Sequence, residues 1–269
     1  MAKSLLVTLL TDFGTQDPYV AAMKGTILSI CPRAQIVDLC HGVPAHDILA
    51  GAFILTECAP TFPADTLHVV VVDPGVGTRR RILFGQFGAQ QYLFPDNGII
   101  TLIAQRYPLR AMVTVRNVDF VPPEDVSATF HGRDLFAPVA AHLLRGLDFH
   151  QLGPQPQSYK LIEIPQSQMH GEALLGQVIY IDRFGNLVTN IPADMVHAQW
   201  PSLDRLRVSC TGRDIGAVQG TYGFAKEGEL VALFNSMGLL EVAVNQGRAC
   251  DELGARLGTE VRVVGPAAG

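Results

Sequence analysis

The segment Val69–Arg81, VVVVDPGVGTRRR, constrains this chain more than any other. Its opening valines show neither helical nor alternating periodicity, so they predict a strand buried on both faces, as in a parallel sheet. The run stops at a carboxylate, Asp73. A glycine turn, Pro74-Gly75-Val76-Gly77, and three arginines follow. In open α/β sheets, ligands bind where the carboxyl ends of strands meet their loops. An acid at that point, with a guanidinium seven residues later, marks a candidate functional site.

The surrounding sequence agrees with such a sheet. Strands are expected at Leu5–Leu10, Gln35–Leu39, Leu67–Val72 and Ala111–Val115, with a hairpin of Ile82–Phe87 and Gln91–Phe94 around Gly88. Helices are expected at Tyr19–Ile30, with Asp17 as N-cap and Pro18 at the first position, and at Asp47–Cys58. Two more are expected at Gly98–Arg106, capped by Asp96, and at Arg133–Arg145, closed by Gly146. This alternation predicts an α/β N-terminal domain, residues 1–150, with a mostly parallel sheet flanked by helices. Residues 151–172 read as a linker. Residues 173–269 carry short strands with glycine turns: 177–181, 187–190, 206–210, 230–234, 239–244 and 260–264, with one helix at 249–257. They predict a smaller β-barrel or sandwich.

Composition excludes several classes. The 269 residues are 48% apolar, enough for a packed core, and the formal net charge is −5. No basic stripe interleaved with aromatics is present, so nucleic acid is not an expected partner. The apolar run near the N-terminus is too short for a signal peptide, and none approaches the roughly 18 residues of a membrane span. The five cysteines form no CxxC pair. They read as reduced thiols in a cytoplasmic protein, without a zinc site or a disulfide framework.

Three polar clusters stand at strand ends or turns of the first domain: Thr11-Asp12-Phe13-Gly14, Asp73 with its arginines, and Thr129-Phe130-His131-Gly132-Arg133-Asp134. If the first and third strands are neighbours, Asp12 and Asp73 face one crevice. Two carboxylates without metal-type spacing suit hydroxyl groups such as those of a ribose. Asp, Arg and His together can instead orient and deprotonate a water. Plainer readings stand beside these: Asp12 as a turn cap, His131 as a satisfied loop histidine, the arginines as solvated. In the second domain, Asp182–Asn186 is a tight turn whose Phe184 can stack on a base. Phe234–Asn245 is another candidate segment; within it Ser236, Glu241 and Val244 are candidate substrate contacts, and asparagine can pair with an adenine edge. Both segments can equally be ordinary hairpin turns.

Other patterns fail. Arg80 stands where a GxGxxG fingerprint needs its third glycine, and there is no P-loop or GxSxG elbow. His41 and His46 are five apart, not the four of a helical zinc pair, and read as surface loop residues.

Taken in order, these motifs resemble the adenosine-forming S-adenosylmethionine hydrolases, relatives of the fluorinating and chlorinating enzymes that use the same substrate. The resemblance rests on Thr11–Gly14, Val72–Thr78, Phe94–Gly98, Thr129–Asp134, Asp182–Asn186, Asn235-Ser236 and Ala243–Gly247. It implies an α/β domain, a C-terminal β-barrel, and a homotrimer with active sites between one subunit's first domain and its neighbour's second. It also implies that water displaces methionine at the ribose 5′-carbon, without metal or cofactor. Asp73, Arg80 and His131 match the set that handles the water, with Arg79 and Arg81 flanking the arginine position. Asp12 matches the residue for ribose hydroxyls; Asn186 and Ser236 match contacts to the nucleoside and methionine ends. Halogenating relatives carry arginine after that serine, where this chain has Met237. Halide-dependent cleavage and a non-catalytic adenosine sensor are the alternative functions.

Overall fold

The structure, a computed structural model, describes residues 5–119 and 126–266. The chain divides into two compact units, Met1–Ile162 and Glu163–Gly269.

The first unit is built on six strands: β1 (Leu6–Thr11), β2 (Gln35–Cys40), β3 (Leu67–Val71), β4 (Ile82–Phe87), β5 (Gln90–Pro95) and β6 (Leu109–Thr114), in the order β2-β1-β3-β5-β4-β6. β1 pairs in parallel with β2 and β3, and β3 with β5. β4 runs against both of its neighbours. The sheet is therefore mixed, because the expected hairpin places one reversed strand inside it. Every residue of β3 is buried, as its unbroken apolar run requires.

Helices α1 (Tyr19–Ile30), α2 (Ile48–Cys58), α3 (Thr101–Arg106) and α4 (Ala137–Leu144) accompany this sheet. α1 packs on α4, and Met23, Ile27, Val139 and Leu143 join Leu9, Val69 and Phe84 in one core. Burying each such large side chain contributes about 1.5–3 kcal/mol. Asp47 caps α2, its carboxylate accepting from Ala50 N–H at 2.9 Å. Two expected caps differ. Pro18 itself occupies the N-cap of α1, without a side-chain cap. Asp96 does not cap α3, which starts later behind Ile100; its carboxylate is held by Arg81 instead.

Among its described residues the second unit has nine strands: β7 (Gln168–His170), β8 (Ala173–Ile181), β9 (Leu187–Pro192), β10 (Arg207–Cys210), β11 (Arg213–Gly216), β12 (Val218–Gln219), β13 (Leu230–Phe234), β14 (Leu239–Val244) and β15 (Glu260–Val264). Helices α5 (Ala193–Gln199) and α6 (Ala249–Leu253) complete it. β8 turns the corner: its first half pairs with β15 and its second with β9. At that bend Gly176 allows close approach, since a Cβ there would lie 2.3 Å from Ile191 Cγ1. β11 comes up against β13, so the sheet curls into a barrel-like form.

The expected linker is shared between the units. Pro154 accepts from Thr114 N–H and Lys160 N–H donates to Asp96 in the first, while Gln168–His170 forms β7 of the second.

Candidate active site

β1 and β3 are parallel neighbours with Thr11 opposite Val71. Asp12 and Asp73 therefore leave the sheet side by side, and both line one cleft of about 280 Å³ with Phe13, Tyr19, Phe130 and His131. Asp12 Oδ2 accepts the His46 backbone N–H at 2.9 Å.

Asp73, Arg80 and His131 form a continuous cluster. Arg80 Nε donates to Asp73 Oδ2 at 2.6 Å, and Nη2 lies 2.5 Å from the same oxygen. Nη2 also lies 2.8 Å from His131 Nδ1. A guanidinium can only donate, so Nδ1 accepts and the neutral ring carries its proton on Nε2. Burial, reinforced by the Arg80 charge, pushes the His131 pKa below the ordinary histidine value; Asp73 and Asp134 oppose this without reversing it. The Asp73 and Arg80 side chains are only 4% and 7% exposed. Asp73 Oδ1 is buried and has no partner among the described residues. Buried acceptors are rarely left unpaired, and functional sites are where exceptions occur.

The three consecutive arginines separate cleanly. Arg79 is exposed, Arg80 turns to Asp73, and Arg81 turns to Asp96 and the Ser158 carbonyl. Gly77 closes the turn between Asp73 and these arginines at φ +75°, packed against Ala128. His131 stands at the head of a π turn, Gly132–Phe136, that runs into α4. Such turns are rare and often mark functional sites.

An aromatic wall in the same cleft is not announced by any motif. Phe13, Tyr19 and Phe130 meet edge to face, with ring centroids 5.1–5.9 Å apart. Arg133 lies over Phe130 at 5.1 Å while its guanidinium pairs with buried Asp134.

In the second unit a cleft of about 400 Å³ is lined by Asp182, Phe184, Asn186, Tyr222, Val244, Asn245 and Gln246. Phe184 is 73% exposed, its ring free to stack. Asn186 is oriented by Asp182, which accepts its backbone N–H at 2.9 Å and its side-chain amide at 3.0 Å. Glu241 does not line this cleft. It is buried, which raises its pKa, and it accepts the Tyr222 hydroxyl at 2.6 Å and the Asn235 amide at 3.2 Å. Ser236 is exposed in the β13–β14 turn, outside the cleft lining. Among the described residues, no group of three or more His, Cys, Asp or Glu could hold a metal ion. No described helix is long and apolar enough to cross a membrane.

Fold and site together define a two-unit protein with an acid–guanidinium–imidazole cluster, Asp73–Arg80–His131, beside a second carboxylate, Asp12. Residues 7–153 match the SAM hydroxide adenosyltransferase N-terminal domain and residues 176–262 its C-terminal domain, so the chain belongs to that family. It is 38% identical to the (R)-S-adenosyl-L-methionine hydrolase of Thermus thermophilus, over 96% of this chain and 99% of the relative. The hydrolase of the same description from Salinispora tropica is 37% identical, over 98% and 99%. A crystal structure of an uncharacterized conserved protein from Thermotoga maritima superposes with a TM-score of 0.89 at 34% identity, covering 96% of this chain and 99% of that one. More distantly, the fluorinase of an Actinoplanes species is 28% identical, over 89% and 91%.

Proposed function

We propose that this protein hydrolyses S-adenosyl-L-methionine to adenosine and L-methionine. The observation that carries this reading is the Asp73–Arg80–His131 cluster, with one carboxylate oxygen fully engaged and the other without a partner among the described residues. The substrate's sulfonium is already a good leaving group, so no general acid, metal or cofactor is needed. What the site must supply is an oriented oxygen nucleophile in a water-poor pocket.

The tautomer assigns the parts. His131 Nδ1 is occupied by Arg80 and Nε2 carries a proton, so the imidazole donates to the water oxygen and does not act as its base. Asp73 Oδ1 takes the proton as the water oxygen bonds to C5′. The C5′–S bond breaks and its electron pair stays on sulfur, giving the neutral thioether of methionine. Such general-base assistance is worth about 10²–10⁴-fold.

Asp12 accepts from the ribose hydroxyls. Phe184, Asn186 and Val244 receive the adenine, Ser236 lies toward the methionine end, and Glu241 acts through Tyr222 and Asn235. A homotrimer, in which a neighbour's second unit completes each cleft of the first, accounts for the exposure of Phe184 and for the size of the first unit's cleft, which at about 280 Å³ falls just below the roughly 300–1,000 Å³ of whole small-molecule sites. The cysteines, all free in the structure, suit the reducing cytoplasm.

The test is incubation of the purified protein with S-adenosyl-L-methionine in ¹⁸O-water, followed by chromatography and mass spectrometry. Adenosine labelled at its 5′-oxygen, together with methionine, is expected. A 5′-halogenated nucleoside formed only with chloride or fluoride would replace hydrolysis by halide transfer. No product above the uncatalysed rate would leave a sensor.

A further inference from the structure

His41, five residues from the exposed His46, is not a surface residue: it is 6% exposed. Its Nδ1 lies 2.8 Å from Thr11 Oγ1, and Nε2 makes an off-axis contact with Asp38 Oδ1 at 3.0 Å. Asp38 in turn pairs with Lys24 at 2.6 Å. With Asp38 beside Nε2 drawing a ring proton to that nitrogen, Nδ1 and the Thr11 hydroxyl share one hydrogen bond. The same Thr11 oxygen accepts the Phe13 N–H at 3.3 Å, and the His41 carbonyl accepts the Gly14 N–H at 2.8 Å. One histidine thus holds residues on both sides of Asp12, through its ring and through its backbone. The loop it begins supplies the His46 N–H to Asp12 Oδ2.

We propose that His41 is a positioning residue that fixes the Asp12 carboxylate for the two ribose hydroxyls, and so sets the selectivity of the cleft for a ribonucleoside. The proposal rests on the reading of Asp12 given above. Asp12 sits on a four-residue bend, Thr11–Gly14, that pairs with no strand beyond Thr11. Without the ring, Thr11 Oγ1 and Asp38 lose a shared partner, and the Thr11 end of the bend loses its side-chain anchor, so the carboxylate is held through the backbone contacts of Gly14 and His46 alone. A carboxylate can reward two hydroxyls only if it is held in place before they arrive.

The test is calorimetric titration of the full chain with adenosine and with 2′,3′-dideoxyadenosine. The wild-type protein is expected to prefer adenosine by roughly tenfold to hundredfold, the worth of hydrogen bonds to a charged acceptor. His41→Ala should bring that preference within about threefold, as should Asp12→Ala, and the double variant should lose no more than either alone. His41→Asn, whose amide can occupy the Nδ1 position, should restore most of it. If His41→Ala does not fold, Thr11→Val removes the same link and Thr11→Ser retains it. A folded His41→Ala or Thr11→Val protein with the wild-type preference overturns this proposal and leaves the Asp12 reading intact. A wild-type protein with no preference overturns both.

Discussion

Asp73→Asn separates the two tasks of one carboxylate. Oδ2 takes both Arg80 donations, at 2.6 and 2.5 Å, while Oδ1 is buried without a partner among the described residues. The amide is the same shape, but only its oxygen can face the guanidinium. Its NH₂ must then occupy the place of Oδ1, putting a donor where the attacking water needs an acceptor. Turnover should fall by about 10²–10⁴, or about 3–5 kcal/mol in barrier. Stability should fall less. Two charge-assisted hydrogen bonds become neutral ones, each weaker by about 1 kcal/mol, so the loss is about 2–3 kcal/mol and the Tm drops by about 5–10 °C. Adenosine affinity should stay within about threefold, because Asp12 and the stacking ring are untouched. Single-turnover kinetics with S-adenosyl-L-methionine, a thermal melt and an adenosine titration measure the three quantities. A folded variant turning over within about tenfold of wild type would refute the assignment of Asp73 as the proton acceptor.

The lowered His131 pKa predicts that activity persists as pH falls through the ordinary histidine value of 6.5 and is lost only below it, when a charged ring can no longer accept from Arg80; an NMR titration of this imidazole with its midpoint at or above 6.5 would contradict that. His68, buried in β3 beside Thr8, has its pKa pushed down to about 4 by burial. The unfolded chain protonates it from about pH 6.5 downward while the folded one does not until about 4. Stability present above 6.5 should therefore drain away between those values, by up to about 3 kcal/mol. Denaturant melts of wild type and His68→Gln should diverge across that window; parallel curves would show that the group does not titrate as described. Gly77→Ala should cost about 1–3 kcal/mol, since φ is +75° and the new Cβ would meet the Ala128 carbonyl oxygen at 2.3 Å; a denaturant midpoint equal to wild type would disprove the tight packing of that turn.

The sheet was legible where one physical signal dominated. The valine run announced β3, and the limits of α1 follow from Pro18 and Pro32. β7, β11 and β12 were not legible, because they are short and lie largely exposed, without a sustained alternation. α5 escaped because only seven residues follow Pro192 before Trp200, too few for an apolar stripe. At the site, only the resemblance to the family pattern, through its seven-residue spacing from Asp73, singles out Arg80; composition does not choose among three arginines. Approach to an extended strand could have: adjacent residues alternate faces, so Arg80 and Arg81 must part. The aromatic wall draws on Phe13, Tyr19 and Phe130, rings that only the fold brings together. His41 looked like a loop residue since it follows β2; its apolar neighbours Leu39 and Val43 were the overlooked hint of burial. Glu241 sits within LLEVAV, and a lone carboxylate in such a strand signals a buried hydrogen-bonding partner, here Tyr222, which itself lines the cleft of the second unit.

The π turn that launches α4 holds one residue more than a regular helical turn would. Deleting a residue from Gly132–Phe136 would let α4 extend backward as an unbroken helix, with better hydrogen bonding and a straighter axis. It would also swing everything ahead of the deletion by roughly 100° about that axis, carrying the imidazole away from its guanidinium. Local regularity and chemistry are set against each other at this point. A search for sturdier variants by shortening this segment should find well-behaved proteins that no longer turn over.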